Sequence, residues 1–227
     1  MITMAQARQL THTPVHSASA QRLLLGCGLL AGPVYVTVAL AQAFTRAGFD
    51  LARHPWSFLA LGELGWIQTA NFLLTALATI AFSAGLRRGL STGRAGRWAP
   101  RLVGGFGVSM IGAALFPADP AMGFPAGTPD GPGAVTLSGT LHMAVGGAGF
   151  LCAVAACYVI ASRLSREGRK GWAIYSRVTG TLFLASFAAI AGGGAVPGAN
   201  LAFVTGIVAL WSWMSLLSLS LSRRATA

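Results

Sequence analysis

His54, Asp119 and His142 are the side chains of this chain best suited to chemistry. Imidazole and carboxylate groups are competent ligands for divalent metals. A hydroxyl beside a histidine can act as a nucleophile or receive a proton, which brings in Ser57, three residues beyond His54. Asn71, with Gln68 one turn before it, adds neutral hydrogen-bonding groups that could line a small cavity or join two helices. No His-Glu-x-x-His spacing links any of these residues. Their convergence therefore depends on the elements that carry them. The same groups also have a structural use: a carboxylate can cap backbone donors, and an imidazole can bond a carbonyl across a bundle.

Those elements follow from hydropathy. Of the 227 residues, 54% are hydrophobic and only 9% charged, whereas a soluble domain carries about 25% charged residues to solvate its surface. Apolar runs recur at 23–44, 66–86, 102–117, 141–161, 178–196 and 201–221. Each is read as a membrane span, the third being short, with Trp98 and Arg101 at its interface. A span in lipid must satisfy its own backbone, which selects helices. The expected fold is all-α: a polytopic bundle of six transmembrane helices over 22–222, between a disordered tail at 1–21 and a short tail at 223–227.

The basic residues set the orientation. Of 16 Lys and Arg, only Arg46 and Arg53 fall outside the clusters that flank one side of the spans. The excess of basic residues on the cytoplasmic side then places both termini in the cytoplasm and the chain in the cell membrane. The net charge of +11 lies in short clusters between apolar runs. That distribution points to anionic lipid headgroups and away from nucleic acid.

The outer side holds most of the acids, Asp50, Glu63, Asp119 and Asp130, together with His54 and His142. In the first outer loop, Trp56, Phe58, Leu59 and Leu61 follow Pro55 in a segment too short to span, read as docked on the bundle and sheltered from water. Phe116-Pro117-Ala118-Asp119-Pro120 ends the third span, and His142 sits about one turn inside the fourth. This places His54, Asp119 and His142 at similar depth, with Ser57 and Asn71 nearby. An ionisable group at such a depth marks a candidate site.

Small residues four apart form ridges: Gly28 and Gly32; Gly105, Ser109 and Ala113; Gly149, Ala153, Cys157 and Ala161; Thr181, Ala185, Ala189 and Gly193. Such ridges let helices approach closely, within the chain or across a homodimer, and are expected to accept alanine but not bulk. Cys27, Cys152 and Cys157 read as small buried residues, with neither a metal nor a disulfide role.

Several motifs together resemble a known family. They are His54-Pro55-x-Ser57 with Leu61-Gly62, Trp66 through Asn71-Phe72, Phe116-Pro117-x-Asp119-Pro120, and Gly139-x-x-His142. The chain resembles, over 23–219, the small bacterial and archaeal membrane proteins grouped as the domain of unknown function DUF998. More distantly, its layout is similar to the eukaryotic Frag1/DRAM membrane proteins. The resemblance implies a six-helix bundle and brings no established activity.

The function expected from these readings is non-enzymatic: binding a lipid or organising the membrane, with a polar site at the outer face. A metal-assisted hydrolase of the outer leaflet, with His54, Asp119 and His142 as ligands, is the alternative. A small-solute transporter comes third, since the span centres hold no charge and no inverted repeat is visible. The sequence assigns no cofactor and no protein partner.

Overall fold

The computed structural model of the protein describes residues 15–90, 92–191 and 198–224, with side chains from residue 19 onward. Six long helices carry the fold: α1 (Val15–Thr45), α2 (Gly65–Gly89), α3 (Gly93–Leu115), α4 (Leu137–Arg166), α5 (Lys170–Ala191) and α6 (Ala199–Arg224). A short 3-10 helix, Trp56–Ala60, lies between α1 and α2. No strand occurs among the described residues, only an isolated bridge between Ala121 and Phe124. The first helix begins at Val15, inside the stretch read as a tail, while residues 1–14 lie outside the described ones. The end of the expected fifth span, 192–197, lies outside them as well.

Five of the six helices are long and apolar enough to cross a membrane. The exception is α3, because Arg94, Arg97 and Arg101 occupy its first turns. That leaves an apolar stretch of about 14 residues, roughly 21 Å at 1.5 Å per residue. Arg101 lies over the Trp98 ring, 5.7 Å from its centroid, a pairing suited to an interface where one face is apolar and the other wet.

Each helix packs on the one before and the one after, and α6 closes on α1. The result is a ring of sequential neighbours, with tight turns between α2 and α3 and between α4 and α5 and long loops after α1 and α3. A ring of six leaves a centre that only large side chains can fill. Every helix supplies an aromatic ring to it: Tyr35, Phe72, Phe106, Phe150, Phe183, and both Phe203 and Trp211 from α6. The rings touch in sequence, Tyr35 to Trp211 at 5.2 Å, Trp211 to Phe106 at 5.6 Å and Phe150 to Phe183 at 5.1 Å between centroids. Tilted and edge-on contacts of this kind add to area burial by aligning ring edges with ring faces.

Glycines let the ring close. A Cβ at Gly28 would overlap the Phe82 ring, one at Gly32 would come within 2.9 Å of the Trp211 carbonyl, and one at Gly149 would overlap the Ser109 hydroxyl. The ridges of α1, α3 and α4 are thus used inside the chain. On the ridge expected on α5, Thr181 meets a neighbour through its hydroxyl, 2.6 Å from that of Tyr158 on α4, but the row is not packed inside. Thr181, Ala185 and Ala189 are exposed, and Gly193 lies outside the described residues. Because Phe183 must reach the centre, α5 is turned so that Ser176, Thr179, Gly180 and Ser186 face its neighbours.

At the end where the basic residues cluster, Glu167 binds Arg163 at 2.6 Å and Arg224 at 3.4 Å. Arg163 also reaches the Thr92 carbonyl at 3.1 Å, tying α4 to the α2–α3 turn. The opposite end carries the 3-10 helix and the loop between α3 and α4, and it is there that the candidate residues meet.

Candidate functional site

The cap over the ring begins where α1 ends. Arg46 donates from Nη1 to the Leu59 carbonyl at 2.8 Å and from Nη2 to the Leu61 carbonyl at 2.6 Å. The same guanidinium lies 5.2 Å from the centroid of Phe124. One cation thereby holds the C-terminal end of the 3-10 helix and touches the second loop. From the other side, Asn200 at the start of α6 donates from Nδ2 to the carbonyls of Leu51 (2.8 Å) and His54 (2.9 Å). Held this way, Trp56, Phe58, Leu59 and Leu61 are all buried, as the sequence led us to expect. Phe58 and Leu61 form a small apolar cluster with Ala118, Ala121 and Phe124.

His54 is the hinge of this cap. The Asp50 backbone N–H donates to its Nδ1 at 2.9 Å, so Nε2 carries the proton and donates to the Met122 carbonyl at 2.9 Å. Met122 is in the left-handed region at φ 57°, a conformation unusual for a side chain of its size. The ring lies between Phe49, Phe58 and Phe124, with centroids at 5.3, 6.1 and 5.4 Å.

His142 serves the end of α3. Pro117 has no N–H, so the Ala113 carbonyl lacks its helical donor, and the last carbonyls of any helix need partners. His142 Nδ1 donates to the Phe116 carbonyl at 2.8 Å. Asp119 in turn accepts from the Thr136 N–H at 2.9 Å and the Thr136 hydroxyl at 2.5 Å. Thr136 is the N-cap of α4 and itself accepts from the Gly139 N–H at 3.1 Å. Hydrogen bonding from Thr136, first its hydroxyl and then its amide, holds the Asp119 carboxyl below the usual carboxylate range.

His54, Asp119 and His142 therefore all act on one segment, the loop from Phe116 to Thr136, and each acts through hydrogen bonds. As a metal set they do not assemble. Both ring nitrogens of His54 and both oxygens of Asp119 already serve the protein, and no three His, Cys, Asp or Glu side chains group as a metal site among the described residues. Asn71 is buried between α1 and α2, where its Nδ2 donates to the Tyr35 carbonyl at 3.1 Å and to Gln68 Oε1 at 3.2 Å. Gln42 donates to the same Gln68 oxygen at 2.9 Å. This cluster joins two helices.

Ser57 does something different. It lines a cavity of about 130 Å³ that runs from beneath the 3-10 helix into the aromatic centre of the ring. A water needs about 10–15 Å³ of such space, so on the order of ten water-sized groups fit. The walls are mainly aromatic and aliphatic, with Phe106, Phe150 and Trp211 at depth and His142 near the cap. The lining members that are not fully buried include Met143, Gly146, Gly147, Phe187 and Ile190. All five belong to the cap-side halves of α4 and α5, which places a mouth between those helices, beside Ser57.

The family described as a protein of unknown function (DUF998) matches residues 29–220. The chain belongs to the DUF998 family. Neither a curated protein nor a solved structure matches it.

Four contributors to the cap, the cavity and the α1–α2 amide cluster of this DUF998 protein escaped the sequence reading: Arg46, Asn200, Gln42 and Tyr35. Arg46 carried a signal, being one of two basic residues away from the basic clusters. Gln42 also carried one, as an amide inside an apolar run. Asn200 and Tyr35 carried none, since their partners are backbone groups or rings far away in sequence.

Proposed function

We propose that this DUF998 protein is a six-span protein of the cell membrane, with both termini in the cytoplasm, that binds a lipid chain in its central cavity without catalysing a reaction. The observation that carries the reading is the cavity itself: an apolar, aromatic-lined space in the ring, with its exposed lining between two long apolar helices, α4 and α5. Ligand sites are commonly concave, mostly apolar and furnished with a few polar groups, and Tyr35, Ser57, Ser109 and His142 are such residues here. Charge distribution supports the orientation, with α3 completing the ring as a short sixth span among five long apolar helices.

The mouth provides the test. A Cβ at Gly146 meets nothing within 4 Å, so Gly146→Leu projects into open space at the mouth without forcing the helices apart. The protein purified from membranes carries a lipid detectable by native mass spectrometry, and Gly146→Leu loses it while melting at the wild-type temperature. Wild-type protein that retains no lipid under gentle extraction overturns the reading. Reporter fusions at Gly168 and Gly127 test the orientation separately: the first reports cytoplasm and the second the outside.

A further inference from the structure

We infer that the lipid held in this cavity has a neutral head bearing a hydroxyl, recognised by His142 Nε2 and the Ser57 hydroxyl. The inference rests on the lipid-binding reading above and adds the chemistry of the head.

The argument begins with what His142 has already spent. Its Nδ1 donates to the Phe116 carbonyl at 2.8 Å. In the neutral ring Nε2 is then a bare acceptor, on a different edge of the imidazole. His142 is only 7% exposed, yet it lines the cavity. Among the described residues Nε2 has no hydrogen-bond partner, and it is not among the sealed-off polar atoms. The unpartnered edge thus belongs to a cavity-lining ring and stays open to a guest. A buried acceptor of this kind is matched by a donor from the guest, since leaving it unmet costs free energy.

Ser57 supplies the complement. Its hydroxyl lines the same cavity and has no partner among the described residues. A hydroxyl both gives and takes a hydrogen bond. A guest hydroxyl can donate to His142 Nε2 and accept from Ser57, using each group once.

Charge decides against an anionic head. Among the described residues no Lys, Arg, Asp or Glu lines the cavity. The arginines of the cap have other partners, Arg46 the Leu59 and Leu61 carbonyls and Arg53 the Asp130 carboxylate at 3.9 Å. A carboxylate or phosphate brought to this cavity would face an acceptor nitrogen in an apolar surround with no countercharge, where burying a charge is costly.

Competition against a tritiated long-chain alcohol tests this on the purified full chain in lipid nanodiscs. Three probes of equal length are compared: the alcohol, its methyl ether and the carboxylate, at about pH 8 where the carboxylate is ionised in water. The alcohol binds about tenfold more tightly than either of the others, the scale of one hydrogen bond. Ser57→Ala reduces that preference severalfold. His142→Asn, which keeps a donor for Phe116 and loses Nε2, does the same. Equal binding of alcohol and ether, or tighter binding of the carboxylate, overturns the head assignment and leaves lipid binding standing. Ser57→Ala and His142→Asn both retaining the full preference overturn it too. If none of the probes binds, the lipid-binding reading itself fails.

Discussion

The Nε2 proton of His54 rests on the Met122 carbonyl, 2.9 Å away, while its Nδ1 takes the Asp50 N–H, also at 2.9 Å. One neutral imidazole thus bridges the two loops of the cap, at 2% exposure. His54→Ala strands a donor and an acceptor and opens a void between three aromatic rings. The expected loss is about 2–4 kcal/mol, combining two unmet hydrogen bonds with a small cavity. His54→Phe refills the void and recovers part of it. Thermal unfolding of the detergent-solubilised protein reads both. An unchanged melting temperature for His54→Ala would show that the two loops stay together without the ring.

Gly149 faces Ser109 so closely that even one methyl overlaps the hydroxyl. The ridge read from sequence as tolerant of alanine is not tolerant at this position. Gly149→Ala lowers stability by roughly 1–3 kcal/mol through overpacking, and Gly149→Leu by at least as much. Ser109→Gly in the same chain removes the clashing atoms, so the double variant recovers most of the loss. Additive losses in this cycle would mean that the two residues do not meet.

The contrast between the ridges shows what sequence could and could not supply. Six helices and a buried segment after Pro55 were legible because each follows from local composition: apolar runs, with Pro55 and Pro117 as breaks. The face that α5 turns inward was not. Thr181, Ala185 and Ala189 have the spacing of a packing ridge, but Phe183 competes for the same interior and wins because the ring centre needs volume. The cavity was equally hidden. Its walls come from all six helices and the loop, so no window of sequence contains it. Metal chemistry was suggested by residue type and inferred depth, whereas hydrogen bonds within the protein take up both nitrogens of His54, both oxygens of Asp119 and Nδ1 of His142.

Arg46 clamps the 3-10 helix by two charge-assisted bonds, at 2.8 and 2.6 Å, which exceed neutral ones in strength. Arg46→Met keeps an apolar stem and loses both. The 3-10 helix then separates more often from the bundle. A cysteine at Phe58, 8% exposed in the intact cap, labels slowly with an impermeant thiol reagent. Adding Arg46→Met speeds that labelling several-fold without moving the helices. Fast labelling in the Arg46 background alone would mean that the cap is open to begin with.

Asp119 gives the cap a pH dependence whose direction is fixed. Its oxygens take the Thr136 hydroxyl at 2.5 Å and the Thr136 N–H at 2.9 Å, and a Cβ at Gly139 would overlap the carboxylate. The charge sits beside the N-terminus of α4, where exposed amide dipoles favour an anion. These bonds hold the carboxyl below its ordinary range. A carboxyl with a lower pKa folded than unfolded adds stability above its unfolded value, near 3.9, and loses it as pH falls through the folded value. Anchoring of the loop to α4 is therefore constant from neutral pH to about pH 5 and weakens below about pH 4. Hydrogen exchange of the amides from Thr136 to Gly139, corrected for intrinsic rates, follows it. Protection falls in acid while that of the α4 interior persists. Asp119→Asn keeps one acceptor oxygen and removes the charge, so its protection at neutral pH drops toward the wild-type acid level and no longer changes with pH. Wild-type protection and an unaltered pH dependence in that variant would transfer the effect to another group and leave Asp119 a bystander at the helix start.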